Sequence, residues 1–197
     1  DYTCIPFFSD TQLDGYFIPH ADLLPEMVQK GVPAERIRCT GIPVSPQFDA
    51  AVDRAAARRQ VGMPQDTRAY LLMSGGMGCS YVLGLCEELR RCAPAGFTAY
   101  VLAGRNARLM EELRRRYGDD ARIQPVGFTR QVALYMRAAD VLLSKPGGLS
   151  STEAAAANVP LVHIMAIPGC ETRNAAFFSS RGMSVRAANA REAVQAA

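Results

Sequence analysis

The sequence has only two histidines, and its six cysteines, at positions 4, 39, 79, 86, 92 and 170, never stand as a C-x-x-C pair. That excludes the usual zinc spacings, and reduced cytosolic thiols are the economical reading. Lysine is nearly missing: Lys30 and Lys145 are the two lysines among 22 basic residues. No apolar run reaches the roughly 18 residues that a helical span needs. No charged segment with an apolar core opens the chain, and Asp1 rather than Met stands first, so it is read as a fragment. There is no collagen period, low-complexity tract or dense disulfide framework.

What remains is ordinary globular material. The 197 residues are 49% hydrophobic and 21% charged, with net charge +3, enough for one α/β domain and a small attached piece. The charge is unevenly spread: residues 1–50 carry seven acids against three bases, whereas residues 51–117 carry eleven arginines against six acids. Within 105–117, Glu111/Arg115 and Glu112/Arg116 have the stabilising i,i+4 order, and Leu109, Met110, Leu113 and Tyr117 form an apolar stripe. A solvated helix face is expected there rather than a nucleic-acid surface, because no aromatic residues alternate with the bases.

Short apolar runs at 69–74, 97–104, 122–127, 140–145, 160–164 and 182–186 alternate with helical stretches at 78–93, 105–117, 129–139, 150–158, 170–182 and 190–197. That alternation predicts right-handed βαβ units and a doubly wound parallel sheet from about residue 50 onward. Residues 15–40 read as one more strand–helix–strand unit, and the two prolines of GIPVSPQF (41–48) mark a linker after it.

Three turns from strand to helix carry the candidate chemistry. The first, Ser74-Gly75-Gly76-Met77-Gly78, lets backbone approach a phosphate at a helix N-terminus. It is no P-loop, since Gly-Lys-Ser/Thr is missing. It is no dinucleotide fingerprint either, since the next strand ends Ala103-Gly104-Arg105 without a ribose-binding acid. The second runs from Ser144 to Glu153 through Gly147 and Gly148. There Ser150-x-x-Glu153 has the spacing of a capping box, a purely structural use of the glutamate. The third, Ile167 to Asn174, turns at Pro168-Gly169 into a helix headed by polar residues. Three such turns on one sheet edge have the parts to hold a base, a ribose, a diphosphate and a polar head group.

Six ordered segments, GIPVSPQF (41–48), LLMSGGMG (71–78), LAGRN (102–106), VGF (126–128), SKPGGLSSTEA (144–154) and PGCETRN (168–174), together resemble glycosyltransferase family 28. The resemblance is closest to the branch of monogalactosyldiacylglycerol synthases and processive diacylglycerol glucosyltransferases, and more distant to the peptidoglycan N-acetylglucosaminyltransferase. It implies a GT-B fold, two Rossmann-like domains across a cleft. Residues 1–42 would be the tail of the acceptor domain, 43–50 the interdomain linker, and 51–197 the UDP-sugar donor domain, cut before its closing helices.

The resemblance also implies roles. Gly75, Gly76 and Gly78 line the diphosphate side, and Arg105 and Asn106 lie near the donor. Val126, Gly127 and Phe128 frame the uracil, while Gly147, Gly148, Leu149 and Ser150 approach the diphosphate through backbone N–H groups. Glu153 holds the ribose hydroxyls; Glu171 and Asn174 address the sugar. Relatives commonly have Gln where Cys170 stands. The implied reaction is inverting transfer of a hexose to a lipid such as diacylglycerol, without a metal or other cofactor. Its general base and membrane-binding surface belong to the acceptor domain, on the cytoplasmic face of the cell membrane. No nucleic-acid partner is implied. His20 and His163 do not match the base, and His163, in an apolar strand, reads as core. Two alternatives share the nucleotide-sugar grip: a non-catalytic subunit of a split transferase, and a nucleotide-sugar epimerase of the same fold.

Overall fold

The computed structural model describes residues 1–3, 12–48, 51–73, 79–164 and 166–197. Gly75, Gly76 and Gly78 of the first glycine-rich turn lie outside the described residues.

The alternating apolar runs form a six-stranded, wholly parallel sheet from β3 (Arg68–Met73), β4 (Phe97–Gly104), β5 (Ile123–Gly127), β6 (Val141–Ser144), β7 (Leu161–Ile164) and β8 (Val185–Ala187). The spatial order is β5-β4-β3-β6-β7-β8, so the first two connections run one way from β3 and the rest run the other. Strand periodicity divides β3 between two cores: Tyr70 and Leu72 face one, Ala69 and Leu71 the other. The first face is covered by α3 (Cys79–Cys92), α4 (Ala107–Tyr117) and α8 (Ala190–Ala196), through Leu85, Leu89, Leu109, Leu113 and Val194. On the second lie α2 (Arg54–Val61), α5 (Val132–Ala138) and α6 (Gly148–Ala156), contributing Ala57, Met136 and Ala154. The helix after β7 is α7 (Cys170–Ser180).

Helix α2 has no counterpart in the hydrophobic pattern. Asp53 caps it, accepting from the Ala56 N–H at 2.6 Å, and Gly62 ends it at φ +72°. Its inward face is Ala57 together with Arg58, a charged residue only 4% exposed. The Arg58 guanidinium donates to the carbonyls of Ala138 (2.9 Å), Pro64 (3.2 Å), Gln65 (2.8 Å) and Thr67 (3.1 Å), and to Asp140 Oδ2 at 2.7 Å. Burial is achieved here by saturating a cation with acceptors.

The first part of the chain forms a smaller unit: β1 (Tyr16–Ile18) pairs in parallel with β2 (Ile37–Cys39), and α1 (Leu24–Gln29) crosses between them. Tyr16, Ile18, Leu23, Met27, Val32 and Ile37 make a core of their own. After the proline-marked stretch, Phe48 is buried in the second core of the large sheet.

Candidate functional site

Strands β3 and β6 are neighbours whose following helices leave in opposite directions, and the crevice at their carboxyl ends is where an open α/β sheet takes ligands. The turn from β6 into α6 supplies one wall. Gly147 is the N-cap, with extended backbone (φ −72°, ψ 138°) and no side-chain cap bond, and the helix begins at Gly148. The first in-helix bond runs from the Ser151 N–H to Gly147 O at 3.0 Å, so the N–H groups ahead of it are those a helix start leaves open to an anion. Leu149 stands exposed beside them.

This geometry corrects the capping-box expectation. Ser150 is already inside the first turn, and its hydroxyl donates to Gly147 O at 3.3 Å. Glu153 is therefore not the third residue after a cap and does no capping. Its side chain is half-buried, and among the described residues no hydrogen bond or ion pair reaches its carboxylate. Desolvation raises its pKa above the ordinary value of 4.5.

The turn from β7 into α7 supplies the next wall. Glu171 pairs with Lys145 through Oε1 and accepts from the Ile167 N–H at 2.9 Å through Oε2. Asn174 is 0% exposed and donates to Asp1 Oδ1 (2.9 Å) and Pro146 O (3.0 Å), while its Oδ1 accepts from the Tyr2 N–H at 2.7 Å. Both of its donors are taken within the protein in this arrangement, one by the Asp1 carboxylate and one by the Pro146 carbonyl. Cys170 opens α7, partly exposed.

At the ends of β4 and β5, Arg105, Asn106, Gly127 and Phe128 come together around a cavity of about 390 Å³ that Met73 and Leu102 also line. Phe128 is 60% exposed, with the Arg105 guanidinium 4.7 Å from its ring centre. Asn106 has a structural duty as N-cap of α4, accepting from the Leu109 N–H at 3.0 Å. Val126 does not line this cavity but packs against the second core. His163 is core, as its apolar strand predicts: Ser151 and Ser184 hydroxyls hold its two ring nitrogens at 2.9 and 3.0 Å, and burial beside Arg186 pushes its pKa down to about 4.

Neither hydrophobic periodicity nor a motif marks the place of residues 1–3. They lie across α6 and α7, with Tyr2 stacked on Phe177 at 4.1 Å and its hydroxyl 2.9 Å from Thr152 Oγ1. A Cβ on Gly148 would stand 2.8 Å from Asp1 Oδ1 and 3.0 Å from Asp1 Cα, so close approach of this segment requires glycine there. Two ion pairs, Glu26–Arg173 at 3.1 Å and Asp22–Arg181, join the small unit to α7. No cluster of three or more potential metal ligands occurs among the described residues.

The sequence model of the family described as monogalactosyldiacylglycerol (MGDG) synthase matches residues 1–44. The chain is 30% identical over 182 residues to the processive diacylglycerol beta-glucosyltransferase of Staphylococcus carnosus, covering 91% of this chain and 46% of that protein. It is 29% identical over 177 residues to the enzyme of the same name from Bacillus pumilus, covering 88% and 45%. The chain thus spans about half the length of the curated relatives it matches. Among solved structures, Anabaena HepE in complex with UDP-glucose superposes with TM-score 0.61 at 16% identity, over 94% of this chain and 53% of that one. The UDP-GlcNAc 2-epimerase from Neisseria meningitidis bound to UDP-GlcNAc gives 0.67 at 11% identity, over 92% and 51%. At such identities the likeness is one of fold, a GT-B-type Rossmann half.

Proposed function

From a chain that belongs with the monogalactosyldiacylglycerol synthases and processive diacylglycerol glucosyltransferases of glycosyltransferase family 28, we propose that residues 51–197 bind the UDP-sugar of an inverting hexosyltransferase. Residues 1–42 are the end of its acceptor domain and 43–50 the linker. The observation that supports this reading is Glu153: a partly buried carboxylate at the switch-point crevice, one turn into α6, with no protein donor among the described residues. An acceptor kept so poorly satisfied suits a ribose diol, which brings two donors of its own.

The other parts follow from position. The first N–H groups of α6, those of Gly148, Leu149 and Ser150, with its positive end, face the diphosphate and stabilise its charge as the glycosidic bond breaks. The cavity beside Gly127 and Phe128 takes the base, and Glu171 receives hexose hydroxyls. Backbone dipoles supply the charge stabilisation, and no metal is called for. The base that deprotonates the lipid hydroxyl, and the surface that meets the cytoplasmic leaflet, belong to the acceptor domain.

Calorimetry with UDP tests the reading. Glu153→Gln keeps the size of the side chain and removes its charge, and should weaken UDP binding by about 1–3 kcal/mol, the worth of hydrogen bonds to a charged group. No UDP binding by the wild-type chain, or unchanged affinity in the variant, overturns it. Conversion of a UDP-sugar to its epimer without any acceptor would assign the fold to epimerisation instead.

A further inference from the structure

We propose that Lys145 is a positioning residue that fixes the Glu171 carboxylate for the hexose, and that it does not bind the diphosphate. The inference rests on the donor-binding reading above and adds to it a residue that the family resemblance leaves without a role.

Lys145 stands one residue beyond β6, at the entrance to α6, where a lone cation is most simply taken as a phosphate ligand. The structure commits it elsewhere. Its ammonium pairs with Glu171 Oε1, and the two side chains are only 26% and 12% exposed. The other oxygen, Oε2, accepts from the Ile167 N–H at 2.9 Å. Among the described residues each carboxylate oxygen therefore holds one protein donor and keeps one lone-pair site free, so its orientation is set before a sugar arrives. A carboxylate held at both oxygens distinguishes equatorial from axial hydroxyl positions; a rotating one does not.

The pair also ties the turn after β6 to the turn after β7, which fixes the hexose side of the crevice relative to the diphosphate side. Moving Lys145 onto a diphosphate would leave a shielded carboxylate with a single backbone donor, and breaking a shielded ion pair in this way is strongly unfavourable. The pair therefore survives donor binding.

The experiment is calorimetry on the chain with UDP, UDP-glucose and UDP-galactose, for wild type, Lys145→Met, Lys145→Arg, Glu171→Gln and the Lys145→Met/Glu171→Gln double variant. For whichever UDP-hexose binds tighter, Lys145→Met and Glu171→Gln should each lose about tenfold in affinity. UDP itself should stay within about twofold. The double variant should be no weaker than either single one, and Lys145→Arg should recover most of the loss. A Lys145→Met variant in which UDP and UDP-hexose weaken together makes Lys145 a diphosphate ligand and overturns the proposal. So does a variant in which neither changes, or a double variant whose losses add. Absence of UDP binding by the wild-type chain strikes the donor-binding reading itself, and the inference falls with it.

Discussion

Partial burial, with no protein donor among the described residues, makes the ionised form of Glu153 less favourable than in water, which is why its pKa is raised. Over the pH window above the ordinary 4.5, the folded chain keeps a proton that the unfolded chain has lost. Stability contributed at this position therefore falls as pH rises through that window. At neutral pH Glu153→Gln should leave the melting temperature unchanged or raise it, while UDP binding weakens; a lowered melting temperature with unchanged affinity would return the residue to a structural role. His163 has the opposite sign. Its pKa drops from 6.5 to about 4, so the unfolded chain binds the proton first, and stability is lost as pH falls from 6.5 toward 4. The loss approaches about 3 kcal/mol at the acid end. Urea midpoints followed against pH should show that slope in wild type and lack it in His163→Gln. The core placement of His163 was legible from its apolar strand. The true state of Glu153 was not, because the four letters of a capping box do not reveal where the helix begins, and Gly147 starts it three residues early.

Among the elements, strands were read best: FTAYVLAG at 97–104 coincides with β4, because a long run interrupted by one polar residue, Thr98, allows little choice of boundary. Helix α2 was missed for a physical reason. Its sequence, RAAARRQV, has no apolar stripe, and the residue that anchors it is an arginine whose acceptors come from two other stretches of the chain, 64–67 and 138–140. Arg58→Met should be destabilising by about 3–5 kcal/mol, since it strands the carbonyls it saturated and leaves Asp140 with the exposed Arg54 and the Ala69 N–H. Arg54→Ala, which removes only the surface pair, should cost less than about 1 kcal/mol; equal losses in the two variants would deny Arg58 its special place. On α4 the expected apolar stripe and the expected Glu112–Arg116 pair are present, but Arg115 turns to Glu112 rather than to Glu111. Glu112 takes both Arg115 (2.8 Å) and Arg116 (3.2 Å), because i,i+3 and i,i+4 partners are both within reach of one carboxylate.

At the scale of the molecule, the small unit and the large sheet have separate hydrophobic cores and meet through charge and one aromatic cluster. Asp22 and Glu26 of the small unit reach Arg181 and Arg173, and Phe177 lies between Tyr2 and the Arg181 guanidinium. The acidic surplus of residues 1–50 hinted at this attraction, but nothing in the pattern told which helix would receive it. Contacts of this kind are typically mobile and weaken with salt. Hydrogen exchange should show residues 16–39 opening at lower free energy than β3 and β6, with the gap widening in high salt. Equal protection at both salt concentrations would make the whole chain one cooperative core.

The central seam between β3 and β6 has a consequence for the chain as it is made. Tyr70 pairs with Val141 and Leu72 with Leu143, whereas β4, which pairs with the other side of β3, and β5 beyond it come earlier in the chain than β6. A ribosome adding about 5–20 residues per second therefore leaves one edge of β3 unpaired for several seconds after its first partner has docked. That edge is apolar and open to adhesion until β6 emerges. Until β6 pairs with it, that edge has no strand beside it, and this interval is when the nascent chain is most open to association with other chains.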